Sequence, residues 1–137
     1  MQVLVETDIL YDYLTHEADE PSVLRTALSQ ATCYTTMLNA MELLRMVRSS
    51  EEHAAVMNML LVVRVLGFNS RYAETFAELS NELERSKGIV LSDREAMIVG
   101  MAQASKLTIL TNEHLERYKQ IGIVQVADTV GVGSGDI

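Results

Sequence analysis

The sequence has few of the residues that mark secreted or membrane-bound proteins. Among its 137 residues there is one cysteine, Cys33, so no disulfide can form within the chain; there is one proline and no tryptophan. The longest purely apolar run, residues 59–63, is far shorter than the roughly 20 residues that a membrane-spanning helix needs. The first residues do not show the basic and apolar pattern of a signal peptide. We therefore expect a soluble cytoplasmic protein.

Basic residues are also scarce, with 11 Lys and Arg against 19 Asp and Glu and a formal net charge of −8. Proteins that bind nucleic acid through bulk charge need clustered Lys and Arg, so the composition disfavours that class. An enzyme that gathers acidic residues around a metal ion remains compatible. The length suits one domain, and we expect a single domain at residues 1–130 and a flexible, glycine-rich tail at residues 131–137.

Short apolar runs alternate with segments of helical periodicity. Strands are predicted at residues 3–5, 33–35, 107–110 and 123–126. Helices are predicted at residues 9–14, 21–30, 37–47, 51–66, 72–87 and 96–104, with a short one that ends at 118. Thr7 or Asp8 is expected to cap the first helix, and residues 92–95 fit a capping box. This alternation predicts an α/β fold with a parallel sheet that is covered on both faces.

The core faces of the helices are predicted from the spacing of their apolar residues. On the third helix, the residues expected to face the core are Met37, Ala40, Met41, Leu44 and Val47, with Asn39, Glu42 and Arg45 on another face. Other methionines at similar spacing, Met57, Met97 and Met101, are expected to fill gaps in the core.

Four glutamates lie close to the predicted carboxyl ends of strands. Glu6 ends the first strand, Glu113 follows the strand at 107–110, and Glu42 and Glu95 lie in early turns of later helices. Ligands bind at this edge of a parallel sheet, and four converging carboxylates would repel one another unless a cation neutralised them. Oxygen ligands favour Mg²⁺ or Mn²⁺. The pattern indicates a divalent metal site, although some of 19 acids will end strands by chance.

Four short motifs, in order, resemble those of the PIN domain family, especially the VapC-type toxins. They are Val5-Glu6-Thr7-Asp8-Ile9-Leu10, residues 35–43 with Glu42, residues 91–98 with Glu95-Ala96, and Leu110-Thr111-Asn112-Glu113. The resemblance extends from residue 1 to about residue 126. It implies a three-layer α/β/α fold with a short, mostly parallel central sheet. It also implies a metal-dependent endoribonuclease, the toxin of a toxin–antitoxin pair.

The resemblance further implies roles for individual residues. Mg²⁺ or Mn²⁺ would be held by Glu6, Glu42, Glu95 and Glu113, with Asp8 as an additional acceptor. A metal-bound water would attack a phosphodiester of the RNA substrate. Thr7 and Thr111 would orient the carboxylates by hydrogen bonding, and Arg45 and Arg48 would contact RNA phosphates.

Partner proteins are also expected. The apolar helices at residues 51–66 and 98–102 exceed what a small sheet obviously covers, so we expect a homodimer through helical surface, as the resemblance also suggests. The resemblance implies an antitoxin protein that could insert an arginine into the acidic pocket.

Three of the four acids depart from the family pattern, which prefers Asp where this chain has Glu6, Glu95 and Glu113. Each extra methylene moves a carboxylate by about a bond length, whereas Mg²⁺ requires near-octahedral ligands at about 2.0–2.1 Å. Backbone retreat, use of Mn²⁺ or loss of catalysis would each accommodate the change. A second hypothesis is therefore a PIN-fold protein with weakened or lost catalysis that acts through partner binding. A shifted register would make Asp8 and Asp93 the ligands.

Simpler structural interpretations compete with these roles. Glu95 can serve only the capping box, Glu42 can pair with Arg45, and Asp8 can be an ordinary helix cap. A third hypothesis is an unrelated small α/β protein such as a phosphoacceptor domain, which would need a lysine near the strand ends. The metal hypothesis requires that the four glutamates lie together.

Overall fold

The computed structural model describes residues 1–16 and 21–130, and the predicted flexible tail lies outside the described residues. The described residues form one five-stranded parallel sheet, whose strands are β1 (Gln2–Val5), β2 (Thr32–Thr36), β3 (Arg64–Leu66), β4 (Thr108–Leu110) and β5 (Val126–Ala127). Their order in the sheet is β3-β2-β1-β4-β5. β1 is thus the central strand, beside β2 and β4.

Seven helices are found in the described residues. They are α1 (Thr7–Thr15), α2 (Val23–Gln30), α3 (Met37–Met46), α4 (Ser50–Val62), α5 (Arg71–Lys87), α6 (Asp93–Ser105) and α7 (Leu115–Ile121). The predicted capping box at Ser92 and Glu95 is confirmed, and Gly88 ends α5 in the left-handed conformation. The expected cap of α1 was wrong, because Glu6 is its N-cap residue and accepts a hydrogen bond from the Thr7 amide. None of the described helices is long and apolar enough to cross a membrane.

The sheet is covered on both faces, which confirms the predicted three-layer α/β/α fold. Val3 and Val5 point to one face and pack with apolar residues of α1, α2, α3 and α4. Leu4 points to the opposite face and packs with α5, α6 and α7. Successive residues of a strand alternate between faces, so an unbroken apolar run fits a strand that is buried on both sides.

The edges of the sheet differ from the prediction. The helix expected at residues 51–66 ends at Val62, and the chain continues as the edge strand β3, which the prediction missed. The last strand begins at Val126, not at residue 123. Both errors arise in short, mostly apolar segments, where periodicity does not distinguish a strand from a helix.

The predicted core face of α3 was correct at Ala40 but wrong at Met37 and Met41. Met37 and Met41 are 51% and 46% exposed, and the buried residues are Asn39, Ala40 and Leu43. Asn39 is buried because its side chain bonds to Thr36 at the helix start and also donates to Glu6, the residue that follows β1. Of the other methionines, Met101 is buried as expected, whereas Met57 is 45% exposed.

Candidate functional site

The carboxyl ends of β1, β2 and β4 lie side by side because all three strands are parallel neighbours. Glu6 follows β1 directly, α3 begins directly after β2, and Thr111 follows β4. The N-terminus of α6 reaches the same edge, because Arg94 contacts Glu6. The predicted motifs therefore meet at this edge, but their carboxylates do not all converge.

Glu6 and Glu42 meet at the guanidinium group of Arg94. Its Nη1 and Nη2 donate to Oε2 and Oε1 of Glu6 at 2.9 and 2.7 Å. Its Nε and Nη2 donate to Oε2 and Oε1 of Glu42 at 2.7 and 2.9 Å. Nη1 also donates to the hydroxyl of Tyr118 at 3.3 Å. A guanidinium has five N–H donors, so each of them has a partner here.

The Glu6 side chain is fully buried, with 0% exposure. Besides Arg94, it accepts a hydrogen bond at Oε1 from Asn39 Nδ2 at 2.9 Å and a short one at Oε2 from the Tyr118 hydroxyl. Burial and the neighbouring charge of Glu6 raise the pKa of Tyr118, which therefore stays a neutral hydroxyl donor. Glu6 thus accepts several hydrogen bonds at a position with no exposure to solvent.

Glu42 is held less deeply, with its side chain 27% exposed. Thr7 Oγ1 donates to Glu42 Oε1 at 2.5 Å, and Asn39 Nδ2 donates to Thr7 Oγ1 at 2.9 Å. The Arg94 hydrogen bonds lower the pKa of Glu42, against the raising effect of partial burial and with a further contribution from Thr7. Glu42 is therefore bound by Arg94, not by Arg45 as the simpler interpretation had it.

Glu95 is paired away from the other motif acids. Nε and Nη2 of Arg117 donate to Oε2 and Oε1 of Glu95 at 2.7 and 3.0 Å, and Glu95 Oε1 also accepts from the Ser92 amide. The pKa of Glu95 is lowered, first by the Arg117 hydrogen bond and then by those at Ser92, although partial burial opposes this. The third motif acid is therefore engaged in an ion pair between α6 and α7.

Asp8 connects α1 to the loop after β4. Its Oδ1 accepts from Thr111 Oγ1 at 2.8 Å, and its Oδ2 accepts from the amides of Asn112 and Glu113 at 2.8 and 3.0 Å. Thr7 and Thr111 thus each donate to a carboxylate of the motifs. That geometry is the one expected for residues that orient acidic side chains.

A pocket of about 650 Å³ opens at this edge of the sheet. It is lined by Thr7, Asp8, Tyr11, Glu42, Arg45, Met46, Arg94, Glu113 and His114. Arg48 instead lines a neighbouring groove of about 290 Å³, together with apolar residues of α1, α3 and α4. Of the predicted acids, the pocket contains Asp8, Glu42 and Glu113.

The arrangement does not fit a divalent metal ion. Over residues 1–16 and 21–130, no three His, Cys, Asp or Glu side chains form a group that could hold one. Both oxygens of Glu6 and both oxygens of Glu42 accept hydrogen bonds from Arg94. The guanidinium already places one positive charge between these two carboxylates.

Sequence reasoning missed four members of the site, which are the basic residues Arg94 and Arg117, the aromatic residue Tyr118 and the amide residue Asn39. Arg94 stands between Asp93 and Glu95 at the start of a helix, where a charged residue is typical of a solvated surface. The one available signal was a cation directly beside a motif acid in a chain with only 11 basic residues. Nothing in the sequence singles out Tyr118, which lies on a separate helix.

Fold and site together define an α/β protein with charged side chains clustered at the carboxyl edge of a parallel sheet. The model of the PIN domain matches residues 3–120, which is most of the sequence, and the chain therefore belongs to the PIN domain family. This confirms the resemblance seen in the motifs.

Solved structures with the same fold have low sequence identity to this chain. VapBC2 from Rickettsia felis, bound to a promoter DNA fragment, matches with a TM-score of 0.75 and 19% identity over 93% of this chain and 98% of that one. DNA-bound VapBC from Salmonella typhimurium matches with a TM-score of 0.73 and 19% identity, over 93% of this chain and 97% of that one. FitAcB from Neisseria gonorrhoeae matches with a TM-score of 0.67 and 17% identity, over 93% of this chain and 97% of that one. Comparison with curated proteins gave no match.

Proposed function

We propose that this PIN domain protein acts mainly through a partner protein, as the PIN member of a toxin–antitoxin-type pair, with weakened or lost metal-dependent cleavage. One observation carries the proposal: Arg94 binds Glu6 and Glu42, and Arg117 binds Glu95, so three of the four motif glutamates are paired with arginines of the same chain. Metal-dependent hydrolysis needs carboxylates that are free to coordinate the ion.

An apolar groove beside the pocket supports a partner chain. Tyr11, Leu14, Met46, Val47 and Val56 contribute to its lining, and Tyr11 and Met46 also line the acidic pocket. Such a groove is suited to the apolar face of an amphipathic helix. The structural neighbours are described as VapBC and FitAcB complexes, which supports an antitoxin-like protein as the partner of this chain.

A homodimer remains part of the proposal, through a smaller surface than the sequence suggested. The segment at residues 98–102 is buried in the protein's own core, whereas Met37, Met41, Met57, Leu61 and Val65 are exposed. We expect light scattering at micromolar concentration to give the mass of a dimer and Leu61→Glu to give that of a monomer. Lys119→Glu is a control away from this surface. A wild-type monomer would contradict the dimer.

The second candidate is the divalent-metal-dependent endoribonuclease that the motifs imply. Membership of the PIN family favours it, as does a pocket that contains Asp8, Glu42 and Glu113. In that case Arg94 would have to leave Glu6 and Glu42, and the RNA would lie near Arg45. Glu6, Glu42, Glu95 and Glu113 as catalytic residues, Arg48 as an RNA contact, and Mg²⁺ or Mn²⁺ as cofactor stay predictions of this candidate.

An RNA cleavage assay separates the two candidates. With the purified full chain and a mixed cellular RNA, we expect no more cleavage in Mg²⁺ or Mn²⁺ than in EDTA, because Arg94 occupies Glu6 and Glu42. Glu42→Gln is the matched variant, since it removes charge from the less buried acid of the pair. Cleavage that needs the metal and disappears in Glu42→Gln would reject the first candidate and support the second.

The partner is tested with the product of the neighbouring gene, expressed together with this chain. Tyr11→Glu places a charge in the groove at a residue that is 47% exposed, so the fold should tolerate it. Loss of co-purification in Tyr11→Glu, with binding retained in Lys119→Glu, is the supporting result. Wild-type protein that purifies alone argues against this partner.

A further inference from the structure

The terminal nitrogen Nη2 of Arg94 occupies a point between the two motif acids. It is 2.7 Å from Glu6 Oε1 and 2.9 Å from Glu42 Oε1. A divalent ion that bridged the same two oxygens would need them at about 2.0–2.1 Å, as for Mg²⁺. The guanidinium nitrogen and such an ion therefore compete for the same space.

We infer that Arg94 is a built-in counter-ion that takes the place of a divalent cation, so that the chain closes its own acidic site without metal. The inference rests on the proposed loss of metal chemistry and deepens it by naming the group responsible. Arg94 is a positioning residue here, because it fixes Glu6 and Glu42 and has no N–H left to offer a substrate.

Two properties make this arginine difficult for an ion to displace. Its guanidinium keeps its charge at any physiological pH, and its planar fork matches two carboxylates at once. All five donors are used, four on Glu6 and Glu42 and one on Tyr118. Mg²⁺ gives up its water reluctantly, so it would have to break this complete set of bonds at its own dehydration cost.

A second ion pair follows the same pattern. Arg117 binds both oxygens of Glu95 and also donates from Nη2 to the Val90 carbonyl at 2.9 Å. Three of the four motif glutamates are thus paired with arginines of the same chain. Arg94 nevertheless has the central role, because it alone joins two of these acids.

Mn²⁺ binding by the purified protein tests the inference, with the free-ion paramagnetic resonance signal as the readout. We expect wild type to bind Mn²⁺ only as weakly as a surface control, Arg85→Met, which removes an arginine from the exposed pair with Glu82. Arg94→Met should bind at least tenfold more tightly than either. Adding Glu42→Gln to Arg94→Met should remove most of that gain.

Thermal unfolding gives an independent readout. Millimolar Mn²⁺ should raise the midpoint of Arg94→Met by several degrees and leave wild type unchanged, because only the folded variant holds the ion. Arg94→Lys keeps one positive charge but loses the planar fork, so its midpoint should rise by an amount between those of Arg94→Met and wild type. This variant replaces Arg94→Met in the test if Arg94→Met does not fold. Two results would overturn the inference. One is Mn²⁺ binding by wild type that is lost in Glu42→Gln. The other is Mn²⁺ affinity in Arg94→Met and Arg94→Lys that is no higher than in wild type.

The two proposals can fail separately. Metal-dependent RNA cleavage by wild type would reject the proposed function, whatever the variants bind. Absence of any gain in Arg94→Met and Arg94→Lys would reject the role of Arg94 alone, and the partner experiments would be unaffected.

Discussion

Replacing Arg94 by methionine is expected to lower the free energy of unfolding by about 3–5 kcal/mol, because it leaves buried charge without its partner. Glu6 has no exposure to solvent, and Arg94 binds both of its oxygens. The methionine side chain keeps much of the arginine stem volume but none of its five donors. Urea denaturation in metal-free buffer measures the change, with EDTA present so that no ion takes the place of the arginine.

Arg85→Met is the matched control, since Arg85 pairs with Glu82 in a bridge whose side chains are 73% and 55% exposed. Exposed pairs contribute about 0–1 kcal/mol, so this variant should remain close to wild type. The Arg94 effect should also depend on pH. The pKa of Glu42 is held below its ordinary value of 4.5, so its share of the stability is present above that pH and is lost as the pH falls through the lowered pKa. If Arg94→Met and Arg85→Met lost equal amounts of stability, the stabilising role of the Arg94 contacts would be contradicted.

Asp8→Ala is expected to destabilise the protein by about 2–4 kcal/mol, since hydrogen bonds to a charged group contribute about 1.5–3 kcal/mol each and water replaces part of them. The Asp8 carboxylate accepts one bond from Thr111 and two from the backbone amides of Asn112 and Glu113. Its loss leaves the loop after β4 without its connection to α1. Urea denaturation measures the stability, and amide hydrogen exchange at Asn112 and Glu113 reports on the loop.

Asp12→Ala is the control for Asp8→Ala because Asp12 is an exposed acid on the same helix, and it should change stability by about 0.5 kcal/mol or less. Asp8→Asn is a sharper variant. Its amide can keep the bond from Thr111, but its NH₂ group must then face the two backbone donors. We therefore expect Asp8→Asn to lower the free energy of unfolding by most of the amount that Asp8→Ala does. A free energy of unfolding close to wild type in Asp8→Asn would mean that the backbone hydrogen bonds contribute little.

The sequence predicted the central layer of the fold well because burial on both sides leaves an unmistakable pattern. Val3, Leu4 and Val5 are apolar without alternation, and the structure places them at the middle of the sheet. The edge strand β3 has only three residues and continues an apolar helix, so no local signal separated it from α4. The face of α3 was misassigned in part, because Asn39 is buried through a polar contact that apolar periodicity does not register.

The candidate site was predicted only in part. The motifs located Glu6, Glu42, Asp8 and Thr111 at one edge of the sheet, where the structure has them. The prediction assigned the acids as metal ligands and did not consider that an arginine of the same chain, Arg94, binds two of them. Arg94 comes from α6 and Tyr118 from α7, so their contacts with Glu6 depend on packing between distant segments. Such contacts are not readable from local spacing.

The order of the strands also has a consequence for biosynthesis. Val3 is beside Thr108 in the finished sheet, so residues 4–107 must be synthesised before the middle strand gains its second neighbour. Until then, the apolar strand β1 has one edge without a hydrogen-bonded neighbour, which favours aggregation. Such long-range parallel pairings also form slowly. The nascent chain is therefore expected to depend on chaperones or on early binding of another protein, more than a helical bundle of equal size would.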